Sequence, residues 1–180
     1  MNIGIFDSGI GGMTLLHQAM VLMPHENYIF YADTDHVPYG TKTREQVMSY
    51  VDAVIRFMTE HDCKAVLIAC NTATAVAADR MRTKYQSIPI IGIEPAVKPA
   101  VAESEGKRVL VAATPLTVHE KRLHKLVERV DDGHLVDFLE LPGLVEFAER
   151  GEFVSDRVTA YLREKLSGYI LDRYGELVLG

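Results

Sequence analysis

Along the chain, short unbroken apolar runs alternate with longer stretches in which apolar residues recur every three or four positions, the pattern of a parallel sheet covered by helices. The runs of strand length are residues 3–6, 28–32, 65–69, 88–93, 108–112, 135–139 and 176–179. Their continuous apolar character is that of strands buried on both faces. Between them the spacing predicts a helix over residues 43–61. There Val47, Tyr50, Val51, Val54, Ile55 and Met58 trace one stripe, and Thr43 with Gln46 makes a capping box at its start. A second long helix, opened by Ser155, carries Val158, Tyr161, Leu162, Leu166 and Ile170 on one face, with Gly168 weakening it by about 1 kcal/mol relative to Ala. Shorter helices are expected over 12–23, 72–85, 96–105 and 117–130. The polar stretch Glu103-Ser104-Glu105-Gly106 is the break most like a domain boundary, between two units of similar strand and helix content.

At 180 residues the chain holds one large domain or two small ones. Acidic residues outnumber Lys plus Arg by 25 to 19, and no basic run is longer than Lys107-Arg108, so electrostatic binding to nucleic acid or an anionic membrane has no support. The start, Met1-Asn2-Ile3-Gly4, lacks a positive leader region, and the longest apolar runs, such as 65–70, fall far short of the ~18 residues of a membrane span. A cytoplasmic protein is expected. Two cysteines, Cys63 and Cys70, make no disulfide framework and have no zinc-ligand spacing, so they are read as thiols.

In an open α/β sheet, ligands bind beyond the carboxyl ends of the strands. The first strand ends in Asp7-Ser8-Gly9-Ile10-Gly11-Gly12, a turn whose backbone N–H groups can approach a ligand closely ahead of a helix N-terminus. A dinucleotide fingerprint there needs glycine where Thr14 stands. A small-anion site with Asp7 and Ser8 contributing side chains is favoured over a purely structural turn. The third strand ends in Ala69-Cys70-Asn71-Thr72-Ala73, with a thiol just ahead of a helix N-terminus that would stabilise its thiolate. Cys70 reads either as a small buried hydrophobe or, given the polar Asn71 and Thr72 beside it, as a site thiol. No histidine base follows a nearby strand, and acid/base use of the thiol suits the pattern as well as nucleophilic use.

After the second strand, Asp33, Asp35 and His36 match no standard metal spacing, whereas a loop closing with Tyr39 and Gly40 over a pocket does fit. Pro95 suits a first helical position and Glu94 a helix start. Thr114 and Thr117 supply hydroxyls at another helix N-terminus, as caps or as ligand contacts. The remaining histidines lack paired spacing and are placed on the surface.

Taken together, Asp7-Ser-Gly-Ile-Gly-Gly12, Val37-Pro-Tyr-Gly40, Ala69-Cys-Asn-Thr-Ala73, Gly92-Ile-Glu-Pro-Ala96 and the Ala113-Thr114 turn, in this order and spacing, resemble the glutamate racemases of the aspartate/glutamate racemase superfamily. The likeness runs from residue 3 to residue 180. It implies two similar doubly wound α/β domains, residues 1–95 and 96–180, enclosing glutamate, with no pyridoxal phosphate, other cofactor or metal. In that family one cysteine removes the α-proton and a second returns it from the opposite face. By match Cys70 is the first of these. Asp7, Ser8, Tyr39, Gly40, Asn71 and Thr72 fall on the family's substrate contacts, and Asp7 would hold or accept the thiol proton. Thr114 and Thr117 lie on a turn that faces the substrate, and Glu149, in Phe147-Ala-Glu-Arg-Gly151, matches an acid that assists the second cysteine. The resemblance further implies D-glutamate supply for peptidoglycan and a homodimer; a sister racemase acting on aspartate is the enzymatic alternative.

One departure stands out. The family's second cysteine lies in a Leu-Gly-Cys-Thr-His motif, and the sequence ends at Leu177-Val178-Leu179-Gly180, where that motif would come next. Cys63 precedes the strand that Cys70 ends, and seven residues at ~3.3 Å each set the two roughly 20 Å apart, so Cys63 is structural. The expectation is therefore an incomplete C-terminal part, and residues 1–180 that are inactive alone or act as a noncatalytic half-site binding module.

Overall fold

In the computed structural model, which describes residues 1–180, the apolar runs assemble into two parallel sheets, one in each of two compact units, Met1–Glu94 and Pro95–Gly180. The first unit runs β1 (Asn2–Asp7), α1 (Met13–Leu22), β2 (Asn27–Ala32), a 3-10 turn (Tyr39–Thr41), α2 (Arg44–Glu60), β3 (Cys63–Ile68), α3 (Asn71–Lys84) and β4 (Ile90–Gly92). Its strands stand in the order β2-β1-β3-β4, all parallel. The first strand of the chain is thus an inner strand, and helical crossovers carry the chain to either side of it.

The capping box forms as the spacing predicts: Gln46 N–H donates to Thr43 Oγ1 at 3.2 Å and Thr43 N–H donates to Gln46 Oε1 at 2.9 Å. From that cap, α2 buries Val47, Val51, Val54, Ile55 and Met58. It passes so close to β1 that a Cβ on Gly4 would lie 2.7 Å from Met58 Sδ and 3.3 Å from Cys63 Sγ. Cys63 is accordingly a core residue, its Sγ 3.7 Å from Met58 Sδ.

The second unit runs α4 (Val97–Glu103), β5 (Arg108–Ala113), α5 (Pro115–His119), α6 (Lys121–Val130), β6 (Val136–Glu140), α7 (Leu144–Glu149), α8 (Asp156–Leu166), a 3-10 turn (Leu171–Arg173) and β7 (Tyr174–Leu179). The strand order is β6-β5-β7, all parallel. Alternation along β5 divides the core in two. Val109 and Val111 pack with Val97, Ala100, Leu123 and Leu126 on one face, while Leu110 and Ala112 pack with Leu139, Leu144, Tyr161 and Leu162 on the other. Helices therefore cover this sheet on both sides.

Four local readings change. The helix expected over 117–130 is two, because Glu120 is extended (φ −76°, ψ 132°) and separates α5 from α6. The strand expected over 88–93 shortens to β4, since Pro89 has no N–H to give to the ladder. The helix opened by Ser155 ends at Leu166, ahead of Gly168, and leaves Ile170 outside it and exposed. Finally, Glu103–Gly106 is a tight turn inside the second unit, with Glu105 and Gly106 at φ 53° and 80°, so the polar residues there close a turn rather than join domains. The six-residue α7 is too short to show a period in the sequence. No helix is long and apolar enough to cross a membrane.

One carboxylate ties the three strands of the second sheet together. Arg108 on β5 donates through two guanidinium nitrogens to Asp137 on β6, and Tyr174 Oη at the start of β7 donates to Asp137 Oδ2 at 2.6 Å. The Arg108 bonds hold the Asp137 carboxyl below its ordinary value of 3.8. A group lowered in this way stabilises the fold where the unfolded chain is also ionised, and loses that contribution as pH falls through its folded value. Asp137→Asn should therefore lower the thermal midpoint at pH 7 modestly, the pair being partly exposed, with the gap to the parent closing below about pH 4. Melting both proteins from pH 7 to pH 3 checks this; a gap undiminished at pH 3 would show that the charge is not what matters.

Candidate functional site

Parallel pairing sets the carboxyl ends of β2, β1 and β3 side by side: Phe6 is level with Tyr31 on one neighbour and with Ile68 on the other. The ladder continues one step past the strands, where Asp33 N–H donates to Asp7 O at 3.0 Å and Ala69 N–H donates to Phe6 O at 2.7 Å. This brings Asp33, Asp7 with Ser8, and Cys70 to one edge.

Asp7 is buried, and its Oδ2 accepts N–H bonds from Gly12 at 3.0 Å and Gly9 at 3.3 Å. The glycine turn thus wraps its own carboxylate. The sequence offered these N–H groups to an external small anion, but two of them are taken by Asp7, which fills that role itself. Gly12 cannot be replaced freely, because a Cβ there would lie 2.7 Å from Asp7 Cβ and 3.1 Å from Ala69 Cβ.

Cys70 caps α3: Ala73 N–H donates to its Sγ at 3.3 Å, and Ser8 Oγ lies 3.4 Å from the same sulfur. Only 8% of the residue is exposed. Burial pushes the thiol above its ordinary value of 9.0 and the Asp7 charge adds to that, while the Ser8 hydroxyl and the Ala73 and Ser8 N–H groups pull the other way. The helix N-terminus does help the thiolate as its position suggests, but desolvation outweighs it. Asn71 opens α3, its Oδ1 buried with no hydrogen-bond partner, and Thr72 is buried next to it.

Tyr39 and Gly40 form the 3-10 turn that touches α3. Tyr39 is 2% exposed and donates its phenol to Asp33 Oδ2 at 2.6 Å. Burial first, and then Asp33, push that phenol well above its ordinary value, and the Cys70 sulfur adds a smaller charge effect. The sequence reading missed Asp33 as the partner of Tyr39. The available signal was a carboxylate directly following a strand.

In the second unit, Thr114 directly follows β5 and caps α5, with Thr117 N–H donating to Thr114 Oγ1 at 3.3 Å and the two hydroxyls 2.9 Å apart. A mainly apolar cavity of ≈ 190 Å³ lies beside them, lined by Ala112, Thr114, Leu144, Ala148, Leu179 and Gly180 among others. Glu149, the last residue of α7, follows Ala148 in the chain. A larger cleft of ≈ 430 Å³ between α2 and α3 contains none of the strand-end residues. No three His, Cys, Asp or Glu side chains are grouped so as to hold a metal ion.

The edge of the first unit thus offers a thiol with hydroxyl and amide donors on its sulfur and a carboxylate next to it, equipment for moving a proton. Asp7→Asn keeps an oxygen for the two glycine N–H groups and removes the charge that raises the Cys70 thiol. The variant should lose no more than about 1 kcal/mol of stability, and its iodoacetamide labelling of Cys70 should set in at lower pH than in the parent. A pH series between 6 and 10 with the adducts mapped by mass spectrometry checks both cysteines. Unchanged onset at Cys70 would remove Asp7 from the thiol's electrostatics.

Residues 12–180 match the family model described as Asp/Glu/Hydantoin racemase. A glutamate racemase of Lachnospira eligens is 53% identical over 100% of this chain and 68% of its own length, so the chain spans about two thirds of that relative. Among solved structures, Escherichia coli glutamate racemase in complex with L-glutamate and the activator UDP-MurNAc-ala matches with a TM-score of 0.86 at 28% identity, covering 99% of this chain and 68% of that one. Francisella tularensis glutamate racemase in complex with D-glutamate gives a TM-score of 0.83 at 29% identity, covering 98% of this chain and 66% of that one.

Proposed function

We propose, for a chain that belongs to the Asp/Glu/Hydantoin racemase family, that it carries one proton-transfer face of a glutamate racemase interconverting L- and D-glutamate. The observation that carries this reading is Cys70, held at the strand-end edge with Ser8 and Ala73 on its sulfur and Asp7 beside it. Asp7, Ser8, Tyr39, Gly40, Asn71 and Thr72 serve as substrate contacts on this face; Thr114 and Thr117 are assigned as further substrate contacts and Glu149 as the acid that assists the second base.

The chemistry is one proton in and one proton out. The Cys70 thiolate takes the α-proton of one enantiomer, becoming a thiol and leaving an electron pair delocalised into the substrate carboxylate. A second donor on the opposite face of the α-carbon then gives a proton, and the configuration is inverted. An α-proton is a very weak acid, so hydrogen-bond donors aimed at the carboxylate must stabilise the charge that develops there. The buried, unpartnered Asn71 Oδ1 suits the substrate's ammonium group as an acceptor. The same site running in reverse needs Cys70 protonated, and the upward push on its pKa keeps the thiol form plentiful at neutral pH.

Within residues 1–180 no second thiol reaches a ligand edge, because Cys63 opens β3 at the end away from Cys70 and packs on Met58. The complete two-cysteine reaction, its supply of D-glutamate for peptidoglycan in the cytoplasm and assembly as a homodimer are properties we assign to the whole enzyme. For residues 1–180 alone, half-site binding of the amino acid is the favoured behaviour on that same observation.

Incubating residues 1–180 in D₂O with each enantiomer of glutamate and of aspartate, while following the α-proton NMR signal and optical rotation, tests the reading. No loss of optical rotation is expected, and any α-proton exchange should be confined to one enantiomer of glutamate. Racemisation of either enantiomer would reveal a second base within these residues, and exchange of aspartate in preference to glutamate would transfer the assignment to the sister activity.

A further inference from the structure

The carboxylate that follows β2 is tied into the Cys70 edge by bonds on every side. Asp33 is 6% exposed, and both of its oxygens are engaged: Oδ2 by the Tyr39 phenol at 2.6 Å and Oδ1 by His36 Nδ1 at 2.7 Å. His36 N–H donates back to Asp33 O at 3.2 Å, which closes the turn, and the His36 ring stacks on Tyr50 of α2 with centroids 3.9 Å apart. The Tyr39 ring in turn packs against Phe6 of β1 and Tyr50, at 6.2 and 5.8 Å. The loop between β2 and α2 is therefore closed on itself by one buried carboxylate, while its two rings pack against β1 and α2.

This arrangement decides between two uses of Tyr39. A phenol near a thiol can donate to the sulfur or to the substrate, but this one is donated to Asp33 through a short bond to a carboxylate, the stronger acceptor. What remains for the Cys70 side of the turn is its backbone and ring face, whose placement depends on that anchor. The turn lies against α3, the helix that Cys70 caps, so its position bears on how open the sulfur is.

We propose that Asp33 is a positioning residue, braced by His36, that holds the Tyr39–Thr41 turn against the Cys70 edge by accepting the Tyr39 phenol. The inference rests on Cys70 as the site thiol, but not on which amino acid the site takes. Asp33 acts through Tyr39 and touches no reacting atom.

The test uses residues 1–180 and reads the iodoacetamide labelling rates of both cysteines by mass spectrometry. Cys63, buried at the far end of β3, reports general loosening of the unit, so the ratio of Cys70 to Cys63 labelling isolates the turn. Asp33→Ala and Tyr39→Phe should each raise this ratio about tenfold, and the double variant should raise it no further, as expected for two ends of one interaction. Asp33→Asn, which retains an oxygen for the phenol, should stay within about twofold of the parent. Should Asp33→Ala not fold, Tyr39→Phe and His36→Ala carry the same measurement, the latter with a smaller rise in the same direction. An unchanged ratio, a double variant equal to the product of the singles, or parallel acceleration of Cys63 would each overturn the proposal. Protection of Cys70 by glutamate in the parent chain, measured alongside, tests the functional reading separately: its absence would count against glutamate and leave the ratio interpretable.

Discussion

Everything at the candidate site depends on β1 lying between β2 and β3 in parallel register. Because the three strands point the same way and end level, the residues after each of them are forced into contact range, although they are 26 and 37 positions apart in the chain, from Asp7 to Asp33 and from Asp33 to Cys70. The backbone ladder supplies this alignment before any side chain is considered, and its last bonds run from Asp33 to Asp7 and from Ala69 to Phe6. Gly4 within the strand and Gly12 in the turn after it then permit close packing, against Met58 and against Asp7 with Ala69.

The electrostatics of the edge follow from crowding two carboxylates and a thiol into a dry place. Each carboxylate is satisfied locally, Asp7 by glycine N–H groups and Asp33 by Tyr39 and His36, so neither needs an external cation. The thiol receives weaker donors, and burial dominates its balance. A proton-transfer group needs access to both of its states: the thiol form serves donation, whereas abstraction requires the thiolate, which burial disfavours. Binding a substrate that carries both an ammonium and a carboxylate changes the charges around the sulfur, and this balance is the quantity it would alter.

Much of this was legible in the residues. The alternation of strand-length apolar runs with helical stripes gave the parallel α/β class, and the Thr43-Gln46 spacing located the start of α2. Placing Cys70 at a strand end ahead of a helix required only hydrophobic patterning. What could not be read was set by tertiary contacts: the break at Glu120, where the sequence continues a helical pattern, and the short α7 that carries Glu149. The use of the glycine turn was also hidden, since a Gly-rich loop looks the same whether its N–H groups await a ligand or already hold Asp7. Asp33 was visible as a residue but not as a partner of Tyr39, because that link depends on how a six-residue separation folds back.

The self-filled glycine turn has a consequence for the kinetics of recognition. A loop whose donors converge on an internal carboxylate keeps its shape with no ligand present, so this wall of the site does not have to be ordered at the moment of encounter. Association can then proceed on a preformed surface, with the conformational entropy of the turn already surrendered during folding. The corollary is rigidity: a wall fixed by two N–H bonds and a glycine with no room for a methyl group has little freedom to adapt to an amino acid of different length. Discrimination among substrates would then rest on groups outside this turn.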